Sequence, residues 1–225
     1  MGQDNDQSTG DGVLEIGRQL LKGTPGAVVV EDPQRWRSRD VRLLRFSLNG
    51  QAVEVAAPTH WTLLEVLRYR LDRIGSKQGC DKGDCGACTV RIDGEAVLSC
   101  ITLAAEVEGR AVETVEALST GRADEAGVHP LVREFDRHGA AQCGFCTPGI
   151  LMSAVAFLDQ RVASGAGAPA RAEIAAAIGG NLCRCTGYVK ILDAIGAAWP
   201  LLAPSEAAAE SASASDSESG NTGAR

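Results

Sequence analysis

The spacing of the cysteines between residues 79 and 100 constrains this chain more than any other feature. Four of the eight cysteines in the 225-residue sequence lie there: Cys80, Cys85, Cys88 and Cys100. The first three are spaced C-x4-C-x2-C, so three thiols must converge from one short loop. This spacing, with a fourth cysteine at a distance, is a known ligand pattern of a [2Fe–2S] cluster.

Three glycines in the same segment favour a loop that coils around a small inorganic core. Gly79, Gly83 and Gly86 allow the left-handed backbone and the close approach to a ligand that other residues hinder. Backbone N–H groups of such a loop can point at the sulfurs and help to set the reduction potential. A structural zinc site usually has two separated cysteine arms, which fits this crowded loop less well. Disulfides stay open as a further alternative.

Composition and charge exclude several classes of function. Hydrophobic residues make up 44% of the chain, which is enough for packed cores. The net charge of −7 and the lack of a basic run argue against nucleic-acid binding. No run approaches 18 apolar residues and the polar N-terminus lacks the features of a secretory signal, so we expect neither a membrane span nor secretion. In a cytoplasmic chain, eight cysteines indicate metal binding rather than disulfides.

The first half of the sequence predicts a compact α+β domain. Residues 1–40 are interpreted as an N-terminal extension and residues 41–119 as the domain itself. RLLRFSLNGQAVEV alternates in polarity around Asn49-Gly50, a strong hairpin signal, and TVRIDGEAVL repeats this pattern around Asp93-Gly94. Between them, Thr59 or Thr62 is predicted to cap a helix. Its apolar face would comprise Leu63, Leu64, Leu67 and Leu71.

The second half, residues 120–202, predicts helices. Pro130 suits a first helical turn that ends at Gly139, and Thr147 with Pro148 suits the N-cap and first position of another helix. RAEIAAAI and the segment from Tyr188 to Trp199 have helical periodicity as well. Residues 203–225 are rich in Ala, Ser and Glu and have no apolar face, so we predict a disordered tail.

The remaining four cysteines lie in two arms of similar form. CGFCTPG contains Cys143 and Cys146, and CRCTGY contains Cys183 and Cys185. Each arm comes directly before a threonine and a predicted helix start, so two helix N-termini would face one anionic site. A helix N-terminus stabilises a negative charge by roughly 0.3–1 kcal/mol. The one-residue spacing in the second arm is unusual for zinc, although zinc remains an alternative on these residues alone.

Both halves resemble one known family. GCDKGDCGACTV with a later cysteine resembles the plant-type ferredoxin domain, of β-grasp fold, in the small iron–sulfur subunits of the xanthine oxidase family of molybdenum hydroxylases. QCGFCTPG followed by GNLCRCTGY resembles the second domain of these subunits, which implies an all-α four-helix bundle with a second [2Fe–2S] cluster. The resemblance covers about residues 42–199 and departs at the N-terminal extension and the tail.

The resemblance implies a set of site residues. One cluster would be bound by Cys80, Cys85, Cys88 and Cys100, and the other by Cys143, Cys146, Cys183 and Cys185. Gln142 and Cys185 would lie beside the pterin of a molybdenum cofactor on a large partner subunit. From the sequence alone, Gln142 is an ordinary exposed amide. The three histidines (His60, His129 and His138) are predicted to be solvated or to cap helices rather than to bind metal.

The function that the resemblance implies is electron transfer without a substrate site in this chain. Electrons would pass from molybdenum to the second cysteine quartet, then to the first, and then to FAD or another acceptor. FAD would belong to a separate medium subunit. The whole enzyme would oxidise or hydroxylate an aldehyde, a purine or another N-heterocycle, or carbon monoxide. The alternatives are a free-standing two-cluster ferredoxin and a zinc-stabilised interaction module.

Overall fold

The computed structural model describes residues 40–119 and 127–203. The predicted N-terminal extension, the segment 120–126 and the predicted tail lie outside the described residues. From Asp40 onward these residues form one compact unit. It contains two large hydrophobic cores, one within residues 44–112 and one within residues 118–198, and a small buried cluster of Leu64, Cys88 and Cys100. The domain boundary predicted at residue 119 lies at the edge of the undescribed segment and stays a prediction.

A five-stranded mixed sheet forms the first half. Its strands are β1 (Val41–Leu48), β2 (Gln51–Pro58), β3 (Thr89–Ile92), β4 (Glu95–Leu98) and β5 (Ala111–Glu113). The strand order is β2-β1-β5-β3-β4. Strand β5 runs parallel to β1, and every other neighbouring pair is antiparallel. This sheet confirms the predicted α+β domain.

Two tight hairpins set the register of the sheet. Asn49 and Gly50 have φ angles of 52° and 80°, and Asp93 and Gly94 have φ angles of 51° and 89°. Positive φ at both central residues is the requirement of the turn that matches strand twist. The first turn directs the alternate residues of β1 into the core, where Leu44, Phe46 and Leu48 are buried. Both predicted hairpins are confirmed.

Helix α1 (Leu63–Tyr69) covers one face of the sheet and begins at a capping box. The Thr62 hydroxyl accepts a hydrogen bond from the Glu65 N–H, and the Glu65 carboxylate accepts one from the Thr62 N–H at 2.7 Å. Thr62 is therefore the cap, and not Thr59. Leu63 and Leu67 of the helix are fully buried in the first core, while Leu71 packs against it from beyond the helix end.

Four helices form the second half of the described chain. They are α2 (Pro130–Arg137), α3 (Thr147–Ala163), α4 (Arg171–Ala177) and α5 (Val189–Leu202). Two 3-10 segments, Ala104–Val107 and Val115–Ser119, flank β5. Helix α3 is the central helix, because nearly every residue of its first three turns is buried. None of the described helices is long and apolar enough to cross a membrane.

The helix ends follow the predicted signals with one correction. His129 caps α2, since its Nδ1 accepts a hydrogen bond from the Leu131 N–H at 3.1 Å, and Gly139 follows the helix with a φ of 57°. We expected Thr147 to be the N-cap of α3. It is instead the first residue of the helix, and Cys146 is the N-cap. The reason is that the Cys146 carbonyl already accepts the Ile150 N–H at 3.1 Å.

Helix α3 packs directly on β3, so the two halves share a tight contact. A Cβ atom added at Gly149 would lie 2.1 Å from the Gly86 carbonyl oxygen, which is a backbone atom of the first cysteine loop. Real Cβ atoms do not approach so closely. The contact therefore requires glycine at residue 149.

A buried arginine also joins the two halves. The Arg91 side chain on β3 is 7% exposed and forms ion pairs with Glu113 of β5 at 2.6 Å and with Asp159 of α3 at 3.0 Å. Its Nε donates to the Gly94 carbonyl at 3.0 Å. These bonds fix the direction of α3 across the sheet.

We expect Gly149→Ala to destabilise the protein. The added methyl group meets backbone rather than a movable side chain, and overpacking of this kind costs about 1–3 kcal/mol. For a chain of this size, the thermal unfolding midpoint should fall by roughly 2–4 °C per kcal/mol.

Gly196→Ala is the matched control, because it is also a glycine inside a helix. A Cβ there meets the Ile174 side chain at 3.6 Å, an ordinary contact. Alanine should leave the unfolding midpoint unchanged or raise it, because it favours helix by up to about 1 kcal/mol. Equal midpoints for the two variants would contradict the proposed close contact at Gly149.

Candidate iron–sulfur sites

The first cysteine loop coils as its glycines predict. Gly83 and Gly86 have φ angles of 85° and 70°. A Cβ at Gly79 would lie 2.8 Å from the Cys85 Sγ, so the backbone approaches this sulfur closely. The N–H groups of Asp84 and Cys85 donate to the Cys80 Sγ at 3.3 and 3.4 Å. The loop therefore directs backbone donors at a thiolate, as we expected.

The thiols of this loop differ in their affinity for protons. Backbone hydrogen bonds, that of Lys82 first, lower the pKa of Cys80 to about 7. Burial, together with the neighbouring Cys88, raises the pKa of Cys100 to about 12. Burial also raises the pKa of Cys85. Without a bound metal, Cys85 and Cys100 therefore favour the neutral thiol, and a cation that binds them must displace their protons.

The second group of cysteines lies nearer the surface. Cys143 and Cys185 are exposed, and their sulfurs are 3.7 Å apart. Cys146 and Cys183 are half-buried. Burial and the neighbouring Cys183 raise the pKa of Cys146 to about 12.

Thr186 forms hydrogen bonds with the sulfur of Cys183. Although burial raises the pKa of Cys183, hydrogen bonds from the Thr186 hydroxyl and backbone N–H outweigh it and lower the pKa to about 7. The hydroxyl oxygen lies 3.1 Å from the sulfur. Thr186 is therefore the residue that most directly stabilises the thiolate form of Cys183.

Within each group, every thiol interacts most strongly with one other thiol. The pairs are Cys80 with Cys85, Cys88 with Cys100, Cys143 with Cys185, and Cys146 with Cys183. In a [2Fe–2S] cluster two cysteines bind each iron. A tetrahedral metal with bonds of about 2.3 Å holds two sulfurs about 3.8 Å apart, close to the 3.7 Å between Cys143 and Cys185.

The paired arrangement fits a two-iron cluster better than a single metal ion. A structural zinc site would need four ligands around one centre. The donor set therefore suits [2Fe–2S] clusters.

The other predicted site residues are placed as follows. Gln142 is exposed, directly before Cys143, so it shares the exposed rim of the Cys143–Cys185 pair. Its contact with a pterin stays a prediction. His60 is exposed, and His138 lies at the end of α2 with its Nδ1 2.9 Å from the Glu134 carbonyl. His129 caps α2, as one predicted role had it, and that none of the three histidines binds metal stays a prediction.

Sequence reasoning missed the residues that join the two cysteine loops. The Leu182 N–H donates to the Cys85 carbonyl at 2.9 Å. The Asn181 Nδ2 donates to the Gly86 carbonyl at 2.9 Å and lies 3.3 Å from the Thr89 hydroxyl. The sequence shows only that a polar residue, Asn181, lies two positions before Cys183. This does not predict that Asn181 bonds to the first cysteine loop.

Comparison with known families agrees with this geometry. Residues 46–119 match the family described as a 2Fe-2S iron-sulfur cluster binding domain. Residues 114–196 match the family described as a [2Fe-2S] binding domain. The fold and the sites thus define a protein with two successive [2Fe–2S]-binding domains.

Individual relatives narrow the class further. The chain is 46% identical over 148 residues to the nicotine 6-hydroxylase small subunit of Paenarthrobacter nicotinovorans, covering 66% of this chain and 84% of the relative. It is 39% identical over 155 residues to caffeine dehydrogenase subunit gamma of Pseudomonas sp. (strain CBB1), covering 68% and 88%. The crystal structure of quinoline 2-oxidoreductase from Pseudomonas putida 86 superposes with a TM-score of 0.66 at 39% identity, covering 72% of this chain and 96% of that one.

The chain therefore belongs to the small iron–sulfur subunits of the molybdenum hydroxylases of the xanthine oxidase family. Members of this family are electron-transfer subunits of multi-subunit oxidoreductases that also contain a large catalytic subunit. The predicted α+β fold with two [2Fe–2S]-binding domains is confirmed.

We expect four irons and four acid-labile sulfides per chain, because each of the two domains holds one two-iron, two-sulfide cluster. Metal and sulfide analysis of the brown holoprotein measures both numbers. One equivalent of zinc with little iron would contradict this expectation. Two irons would show that one of the quartets holds no cluster.

Proposed function

We propose that this chain carries electrons from a large molybdopterin-binding subunit to FAD or another acceptor. The cysteines Cys143, Cys146, Cys183 and Cys185 would receive the electrons at one cluster, and Cys80, Cys85, Cys88 and Cys100 would hold the cluster that delivers them. Each bound cluster supplies a centre that takes up and releases one electron. The residues of the chain hold the two centres, shield them from water and present them to partners.

The observation that carries this proposal is the difference in exposure between the two quartets. Cys143 and Cys185 are exposed, whereas Cys88 and Cys100 are buried at 2% and 7% exposure. A donor subunit can approach the exposed pair more closely than the buried one. This supports entry of electrons at the helical half and exit through the first loop.

The rim around the exposed pair has the chemistry to meet a pterin cofactor. The Gln142 amide can both donate to and accept from the edge of a pterin ring. Arg184, which is exposed between Cys183 and Cys185, suits an anionic group such as the phosphate of such a cofactor. Both side chains are free to be covered by a partner subunit.

The substrate of the whole enzyme would be an aromatic N-heterocycle, or an aldehyde as the names of other relatives indicate. The relatives named above carry the names of nicotine, caffeine and quinoline, which are all N-heterocycles. Substrate contacts would belong to the large subunit. A medium subunit with FAD and a cytoplasmic location complete the proposal, and both rest on the sequence prediction.

Purification of the chain from its native host tests the proposal. We expect it to elute with a much larger protein that contains molybdenum and reduces its iron–sulfur centres when substrate is added. A lone monomer that no molybdenum protein reduces would contradict the proposal. The free-standing ferredoxin would then be the better description.

We expect the two quartets to be separable by substitution. Cys85→Ser should remove the electron paramagnetic resonance signal of the first cluster and leave that of the second, and Cys146→Ser should do the reverse. Each variant is the control for the other. Circular dichroism must accompany the spectra, because loss of a metal centre can unfold a small domain. Loss of both signals from either variant in folded protein would contradict the assignment of ligands.

We expect Gln142→Ala to slow reduction of the clusters by substrate and to leave the iron content unchanged. One neutral hydrogen bond contributes about 0.5–1.5 kcal/mol, so the rate should fall by about 2- to 13-fold. Reduction by dithionite, which needs no partner, should be normal. Gln51→Ala, at an exposed glutamine of β2, is the matched control. Equal rates of cluster reduction by substrate in Gln142→Ala and Gln51→Ala would show that Gln142 is not part of the proposed interface.

A further inference from the structure

The tripeptide Asn181–Leu182–Cys183 lies between a tyrosine hydroxyl and the first cysteine loop. On one side, the Cys183 N–H donates to the Tyr188 hydroxyl oxygen at 2.7 Å, and this hydroxyl donates to the Asn181 carbonyl at 3.0 Å. A single hydroxyl group therefore holds both ends of the tripeptide. Neither bond involves a cysteine sulfur.

Tyr188 has a backbone conformation that a tyrosine seldom adopts. Its φ is 67°, in the left-handed region, directly before α5 begins. Such a conformation in a bulky residue costs energy and persists where surrounding contacts enforce it. Here the Tyr188 N–H donates to the Thr186 hydroxyl at 3.2 Å, and the ring turns back so that its hydroxyl reaches the tripeptide.

On its other side, the tripeptide contacts the first cysteine loop through backbone and a buried amide. The Leu182 N–H donates to the Cys85 carbonyl, although the Leu182 side chain is 59% exposed. The Asn181 side chain is buried at 4% exposure and donates to the Gly86 carbonyl. A Cβ at Gly86 would lie 2.4 Å from the Gly180 carbonyl, so the two backbones are in direct contact.

One hydrogen bond thus connects the two cysteine quartets. Cys183 is bonded covalently to Leu182, and the Leu182 N–H is bonded to the carbonyl of Cys85. We propose that Tyr188 and Asn181 are positioning residues that hold this connection and thereby set the coupling between the two cluster sites. The proposal rests on the proposed function in one respect, namely that both quartets hold a [2Fe–2S] cluster.

Tyr188→Phe tests the proposal, because it removes the hydroxyl and keeps the ring. In the full-length holoprotein it should leave four irons and both individual resonance signals. The magnetic interaction between the two reduced clusters, seen as splitting in electron paramagnetic resonance, should become weaker and more heterogeneous. Hydrogen exchange at the Leu182 amide should become about tenfold faster, since the two hydrogen bonds of the Tyr188 hydroxyl no longer hold the tripeptide.

Tyr69→Phe is the matched control. The Tyr69 hydroxyl donates to the Gln78 side chain at 2.7 Å and not to the tripeptide, and Tyr69 is exposed. This variant should have the splitting and the Leu182 exchange of the unmodified protein. A general effect of removing a tyrosine hydroxyl would appear in both variants and would overturn the proposal.

Asn181→Ala perturbs the same connection through its contacts with the first cysteine loop. It removes the carboxamide bonds to Gly86 and Thr89 and leaves both bonds of the Tyr188 hydroxyl in place. It should also weaken the splitting and speed Leu182 exchange. Both residues act on one segment. The combined variant, Tyr188→Phe with Asn181→Ala, should therefore change the splitting and the Leu182 exchange by less than the sum of the two single effects.

The outcomes separate this inference from the proposed function. Unmodified protein with fewer than four irons would contradict the proposed function, while Leu182 exchange would still test the positioning. Normal splitting and normal Leu182 exchange in Tyr188→Phe would overturn the inference alone. If Tyr188→Phe lost its iron, Asn181→Ala would decide: normal splitting and exchange in that variant would overturn the inference.

Discussion

The close approach of the Gly86 backbone to the helical half is the contact on which the rest of this structure depends. Gly149 of α3 and Gly180 meet this backbone at distances that exclude a Cβ atom at Gly149 or at Gly86. Cysteines near these glycines are thereby carried into one region, although Cys88 belongs to a small cluster of the first half and Cys146 and Cys183 pack against the core of the second. The two metal sites are therefore parts of one packed unit and not two independent modules on a linker.

Shape, rather than charge, holds the two halves together. The ion pairs of Arg91 with Glu113 and Asp159 are largely buried, and burial of a charge costs about as much as the pairing returns. An added methyl group at Gly149 would instead meet backbone that has no room to move. The Arg91 network orients α3 over the sheet, while the glycine contacts set how closely it lies.

The two cysteine groups have different surroundings, and this difference matches different tasks. The first group has two buried members and backbone donors aimed at Cys80. The second has its exposed pair, Cys143 and Cys185, at a rim with Gln142. In the proposed function both centres exchange electrons with a partner: exposure lets a partner approach the second group closely, while fixed donors and restricted water help to set the potential of the first. The connection through Leu182 and Cys85 lies between the two.

The sequence by itself determined the features that depend on near neighbours along the chain. The cysteine spacings and the turns at Asn49-Gly50 and Asp93-Gly94 each follow from a few consecutive residues. The sequence predicted a helix cap at Thr59 or Thr62, and the structure decided for Thr62, which forms a capping box with Glu65. Only the tertiary structure decided which sulfurs pair, that Cys146 and not Thr147 caps α3, and that Asn181 bonds to Gly86. Asn181 and Gly86 are 95 residues apart. No local pattern encodes such a contact, because it forms only once two separate cores have packed together.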